Sequence, residues 1–205
     1  MRGYCDTCVA IWLKPSVDVN IHPSTAPELG FSISMITAKY LKVMARYNRW
    51  QNKEIYEAAN RLSDAARRED RGAFFKSIHA TLSHLYWADQ IWMSRLELIE
   101  APSVSASESA SYIDDFRQLS DLRVALDKKL IDFADGNEAG PVKGKLTWFS
   151  GAVGRESTAP LSMLLVHIFN HQTHHRGQVH AMLTAAGEST SDTDLFLMPP
   201  PLWPG

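Results

Sequence analysis

Cysteine is almost missing from this 205-residue chain, which has only Cys5 and Cys8. Two cysteines exclude a disulfide framework, so packing must supply the fold. Neither charge sign is in excess: Lys and Arg total 21 against 23 acidic residues, for a net charge of −2. No basic block stands out either, and nothing marks a nucleic-acid surface. Long apolar runs are missing too, with none near the ~18 residues of a membrane-spanning helix. The apolar stretch 9–13 lies between Asp6 and Lys14, too short for the core of a signal peptide. These absences predict a soluble, cytoplasmic protein with neither nucleic acid nor membrane as partner. What is present is 45% hydrophobic residues, enough for one core in a domain of the usual ~100–200 residues. Histidine is the oddity, with five of the eight falling between His167 and His180.

The chain changes character at Met35. Residues 1–34 are punctuated by Gly3, Pro15, Pro23, Pro27 and Gly30 and hold no helical period, which predicts a poorly ordered extension or a docked arm. From residue 35 onward, apolar residues at three-and-four spacing predict four helices. The first covers 36–62, through Leu41, Met44 and Ile55. The second covers 70–99, through Phe74, Phe75, Leu82 and Trp92. The third covers 112–134, through Phe116, Leu119 and Leu130, and stops at Gly136-Asn137. The fourth runs from Pro160 to 186, with Ser157 or Thr158 as N-cap. Between the third and fourth, Leu146-Thr147-Trp148-Phe149 with Gly151 and Gly154 predicts a small hairpin or irregular crossover. The expected architecture is all-α: a four-helix bundle over 35–187, a long crossover before the last helix, and a Pro-rich tail over 188–205.

The last helix carries the chemistry. At ~100° per residue, with His167 at zero, His171 falls near ~40° and His175 near ~80°. Leu164 and Met182 lie near ~60°, so both histidines sit on the apolar stripe, with His167 and His174 at its shoulder. Two imidazoles at i and i+4 stack one turn apart and can converge on one ion. His167 with His171 is a competing pair of the same spacing. Zinc, nickel and iron all accept imidazole, and a third ligand must come from a facing helix. The second helix offers His79 and His84, and periodicity does not choose between them. Arg176 falls near ~180° among apolar residues and needs a partner; Asp89, on the stripe of the second helix, is the expected one, with a dimer surface as the alternative. Gly177 reads as a close helix–helix contact. Gln178, one turn beyond His174, can hydrogen-bond a metal-bound cofactor or an imidazole.

The segment His84-Leu85-Tyr86-Trp87-Ala88-Asp89-Gln90-Ile91-Trp92, with Asn170-His171-Gln172-Thr173-His174-His175-Arg176-Gly177-Gln178 far downstream, resembles the DinB family of metalloenzymes. The resemblance covers 35–187. It implies a four-helix bundle, a homodimer, and three ligands that map onto His84, His171 and His175. It also implies kinship with thiol-dependent enzymes, among them maleylpyruvate isomerase and transferases that use mycothiol or bacillithiol. The 34-residue extension departs from the family pattern. The expected function is therefore that of a divalent-metal enzyme acting on a small-molecule substrate with a low-molecular-weight thiol. The alternatives are a non-catalytic metal- or ligand-binding bundle and a metal-dependent hydrolase. Hydrolysis is disfavoured because position 172, beside the ligands, is Gln rather than a general-base Glu. Cys5-Asp6-Thr7-Cys8 has no second CxxC to complete a zinc site. Arg67-Arg68-Glu69-Asp70 reads as a solvated turn, and Tyr47, Trp50 and Trp92 as wall residues or as the lining of one pocket, between which spacing does not choose.

Overall fold

Capping explains where the helices begin. The computed structural model describes residues 35–204 apart from 139 and 152; the expectations for 1–34, including the Cys5–Cys8 spacing, lie outside these residues. Helix α1 (Ala38–Arg61) starts where the Thr37 hydroxyl accepts the Tyr40 amide. Short α2 (Asp64–Arg68) is capped by Ser63, and α3 (Ile78–Arg95) by Ser77. Asp115 accepts the Gln118 amide at 2.6 Å to open α4 (Phe116–Gly136). A strand pair, β1 (Lys145–Ser150) and β2 (Arg155–Pro160), precedes α5 (Leu161–Ala185). Among the described residues the chain is thus mostly helical, with one two-stranded antiparallel sheet.

Three boundaries differ from the sequence reading. Residues 70–77 form a tight turn instead of the start of the second helix, because Arg71 and Lys76 pair through their backbones (2.8 Å). Ser157 and Thr158 cap nothing: they lie in β2 opposite Trp148 and Thr147, so the last helix begins only after Pro160. The third helix begins at Phe116, since residues 106–111 form a separate 3-10 turn.

Helix α1 packs on α4 and α5, and α3 packs on the same two. The α3 surface also meets α2 and the 3-10 turn, so this helix is buried nearly all round and its apolar residues form no clean stripe. Leu41, Ile78, Leu82, Leu85, Leu119, Leu130, Leu165 and Leu183 are each at most 2% exposed and form the centre of the core. The C-terminal tail lies along α1, where Tyr47 Oη donates to the Thr193 carbonyl and Gln51 Nε2 to that of Asp192. No helix of the described residues is long and apolar enough to cross a membrane.

A buried polar relay links the four long helices. Asp89 of α3 receives Arg123 Nη1 of α4 at 2.7 Å, and Arg123 Nη2 faces Asp127 Oδ1 at 2.8 Å. Asn52 and Asn48 of α1 donate to Asp127 (3.0 and 3.3 Å). Arg176 of α5 then donates to Asn48 Oδ1 and, at 3.2 Å, to Gln172 Oε1. The expected Asp89–Arg176 ion pair is therefore not formed. Arg123, supplied by a third helix, takes Asp89, and Arg176 closes the other end of the relay. Two arginines balance two aspartates, which is what permits four charges in this core. Gly177 is exposed, with nothing within 4 Å of where a Cβ would stand, so the close helix contact expected there does not exist. Arg67 is more than a solvated turn residue. It donates to the Ala59 and Leu62 carbonyls and lies 4.3 Å from the Phe116 ring centroid.

Candidate metal centre

One helical turn separates His171 from His175, so α5 presents both imidazoles on one side, with ring centroids 4.5 Å apart. His84 projects from the middle of α3, with its Nε2 3.4 Å from His171 Nε2. One ligand nitrogen from each of the three lies within 4.8 Å of the other two. Nitrogens bound tetrahedrally at ~2.05 Å to one ion stand ~3.3 Å apart, so a modest inward rotation of the rings closes the set. The choice left open between His79 and His84 is decided by rotation about α3. His79 points the other way and meets the Ile113 carbonyl at 2.9 Å.

Hydrogen bonds fix which nitrogens are bare. The Ser109 hydroxyl donates its proton to the Ala106 carbonyl (2.7 Å), so it can only accept from His84 Nδ1, 2.9 Å away. His84 therefore carries its proton on Nδ1, leaving the Nε2 lone pair for the centre. His175 Nδ1 donates in the same way to Gln178 Oε1 at 2.8 Å, while the Gln178 amide nitrogen faces His174 Nε2 at 3.4 Å. Gln178, expected to touch a metal-bound cofactor or an imidazole, stands on an imidazole.

Burial keeps these rings neutral. Desolvation first, and the neighbouring His175 second, hold the His84 pKa down at about 3. Desolvation, followed by the surrounding histidines, takes His171 to about 2. His175 is lowered for the same leading reason, with Gln178 opposing. Neutral imidazole is the form that binds a metal, so protons do not compete near pH 7. The sign for stability follows. The folded pKa values lie below the ordinary ~6.5, so protons bind the unfolded chain preferentially as pH falls. The stabilising contribution is complete above pH ~6.5 and shrinks below it by up to ~1.4 kcal/mol per pH unit for each such histidine. Denaturant melts of the metal-free chain are expected to show that slope between pH 6 and 4 for His84 and His171 together. The double variant His84→Phe with His171→Leu should flatten it, and an equal slope in the variant would refute the assignment.

Phe75 covers one side of the triad. Its ring stacks on His84 with centroids 4.0 Å apart and 26° between planes, and lies 5.5 Å from His175. The turn that aims it there is strained: Lys76 adopts φ 67, a left-handed conformation rarely taken by non-glycine residues. Periodicity had placed Phe75 on a helix stripe, and only the turn reveals its role. Ser109 carries no sequence signal, as one of several serines between residues 103 and 111. The Arg123–Asp127 pair did carry one, as two charges at i and i+4 on the stripe of Leu119, Leu126 and Leu130.

The remaining candidates stand apart from the three nitrogens. His167 is exposed, with its ring 5.8 Å from that of His171 and 5.2 Å from Trp92. His174 is exposed, 4.8 Å ring to ring from His175. His180 meets the Thr190 hydroxyl at 3.1 Å. Tyr47 and Trp50 pack edge to face on α1, and Trp50 lines a cavity of about 440 Å³ between α1, α4 and the tail. Trp92 packs on His167 instead, so the three aromatics do not share a pocket.

The family model described as DinB family matches residues 35–200 of this chain. Among curated proteins, Protein DinB of Bacillus subtilis (strain 168) is 29% identical over 155 residues, covering 74% of this chain and 88% of that protein. No solved structure gives a significant match.

Proposed function

The chain belongs to the DinB family, and from that premise we propose that it is a divalent-metal-dependent enzyme of the thiol-transferase or isomerase type. Its substrate is a small molecule, and His84, His171 and His175 hold the ion. One observation carries this reading: three neutral imidazoles from two helices, two of them locked in tautomer by Ser109 and Gln178, bring nitrogens within 4.8 Å of one another. Zinc, nickel or iron fits such a donor set. When bound, the ion supplies a Lewis acid with free coordination positions, able to keep a thiol ionised at neutral pH, where a free thiol of pKa ~8.5 is mostly protonated.

The chain's own residues orient and shield. Ser109 and Gln178 set the ring planes of His84 and His175. Phe75 keeps water from the His84 side, and exposed His167 and His174 mark the rim by which a substrate enters. Gln172 takes no part; it is fully buried and accepts from Arg176. No carboxylate joins the histidine group among the described residues, which supports transfer over base-assisted hydrolysis. The same reading places the four long helices in a four-helix bundle, with a long crossover before the last helix, that pairs with a second copy of itself in the cytoplasm.

Elemental analysis of the purified full chain tests the proposal, with about one transition-metal ion per chain expected. Metal-dependent consumption of a small thiol in the presence of an electrophile should accompany it. A chain with no stoichiometric metal would overturn the reading. A loaded chain inert toward every thiol would reduce it to a binding protein.

A further inference from the structure

Five charged residues are buried among those described: Asp89, Asp127, Arg123, Arg176 and Arg95. The first four compensate one another through the relay. Arg95 is left over. It lies in the last turn of α3 and is only 4% exposed, and neither Nη1 nor Nη2 has a hydrogen-bond partner among the described residues. No carboxylate there comes within ion-pair distance of it. Its contacts are aromatic: the guanidinium carbon lies 4.2 Å from the Trp92 ring centroid and 5.8 Å from that of Trp148. Indole faces return only part of what it costs to take a cation out of water without a counter-ion. Burial lowers the Arg95 pKa to about 10, which still leaves it charged near neutrality.

Its position gives this excess charge a use. The Trp92 ring that carries the guanidinium also packs 5.2 Å from His167, whose ring is 5.8 Å from His171 of the triad. On the other side Trp148 of the β1–β2 hairpin packs 5.6 Å from Trp92, against a cluster of Leu146, Ala159 and Leu164. Arg95 therefore sits at one end of a row of ring contacts, through Trp92 and His167, whose other end is the histidine centre.

We infer that Arg95 is an anion-recognition residue for the substrate of the histidine centre, receiving the carboxylate of a small carboxylic acid end-on at Nη1 and Nη2. The inference rests on the proposed metal site for the meaning of "substrate", but the anion site itself needs no metal. The geometry suits a carboxylate, since two free N–H groups at one end of a guanidinium match its two oxygens. A phosphate dianion would bring a second negative charge into apolar surroundings that hold one cation. Both indoles lie against the guanidinium, so an anion reaching Arg95 changes the surroundings of Trp92 and Trp148.

Two experiments on the full chain decide it. In the first, the chain loaded with Co(II) is titrated with ω-mercaptocarboxylates of two to five methylenes and with the matching ω-mercaptoalcohols, following the cobalt absorption. Wild type should bind the best carboxylate at least about tenfold more tightly than its alcohol. Arg95→Met should erase that preference while leaving cobalt content and alcohol binding unchanged. In the second, metal-free chain is melted with butyrate, butanol or inorganic phosphate, with tryptophan emission as a second readout. Butyrate should raise the Tm of wild type and not of Arg95→Met, and unliganded Arg95→Met should melt at or above wild type, because an uncompensated charge has gone.

Equal affinity for acid and alcohol, or a preference that survives Arg95→Met, overturns the inference. So does phosphate outperforming butyrate. So does an Arg95→Met chain that melts well below wild type with no anion effect in either, the mark of a purely structural cation–aromatic contact. If cobalt never binds, the metal reading falls, and the butyrate arm still decides Arg95.

Discussion

A chain carrying His171→Ala is expected to leave purification almost free of transition metal, against about one ion per chain in wild type. His171 is the central member of the triad, one turn from His175 and 3.4 Å through Nε2 from His84. Its loss leaves two imidazoles on different helices, and a two-ligand site does not hold zinc, nickel or iron against dialysis. His84→Ala and His175→Ala should lose metal too, whereas His167→Ala should keep it, since that ring stands outside the group of three. The supports give a graded comparison. Ser109→Ala and Gln178→Ala free a ring without deleting a ligand, so metal affinity should fall about 10–100-fold while stoichiometry at saturation holds. Elemental analysis with a competing chelator reads all six variants. A His171→Ala chain that retains a full equivalent would remove the centre from this protein.

Arg123→Ala is expected to be the most destabilising single change in the core. Arg123 faces Asp89 at 2.7 Å and Asp127 at 2.8 Å, with each of the three side chains at most 3% exposed. Removing the cation leaves two carboxylates buried beside each other, and breaking such a set by deleting one partner costs about 3–5 kcal/mol. At roughly 2–4 °C per kcal/mol for a chain of this size, Tm should fall by about 6–20 °C. Replacing all three charges together by apolar residues of similar volume should recover most of that loss, because the penalty lies in the imbalance and not in the absence of the pair. A melt of Arg123→Ala within ~1 kcal/mol of wild type would show that water reaches the relay and that it does not hold the helices in register.

The relay also explains how one inference from sequence went astray while its premises held. Asp89 and Arg176 both lie on apolar stripes, and both do require partners. Pairing them directly assumed that two helices supplied every polar group in the core. The molecule uses all four long helices, with Arg123, Asp127, Asn48 and Asn52 interposed. Charges on a stripe can be seen in one helix at a time; which of them meet depends on where the other helices sit. The same holds for His79 and His84. Five residues apart on α3, they differ by about 140° in direction, and only the positions of α5 and of the Ile113 carbonyl decide which one faces His171.

Local rules determined a great deal by themselves. The ~100° advance per residue dictates that His171 and His175 share a face, and period and turn chemistry foretold the long helices and the hairpin near residue 150. Those features depend on neighbours within a few positions and are written wherever the chain is read. The shielding of His84 by Phe75, the tautomers set by Ser109 and Gln178, and the unpaired guanidinium of Arg95 were decided only when the elements packed. Each is a contact between segments distant along the chain, and such contacts are chosen by the whole core at once, as close packing leaves a single register for many side chains together.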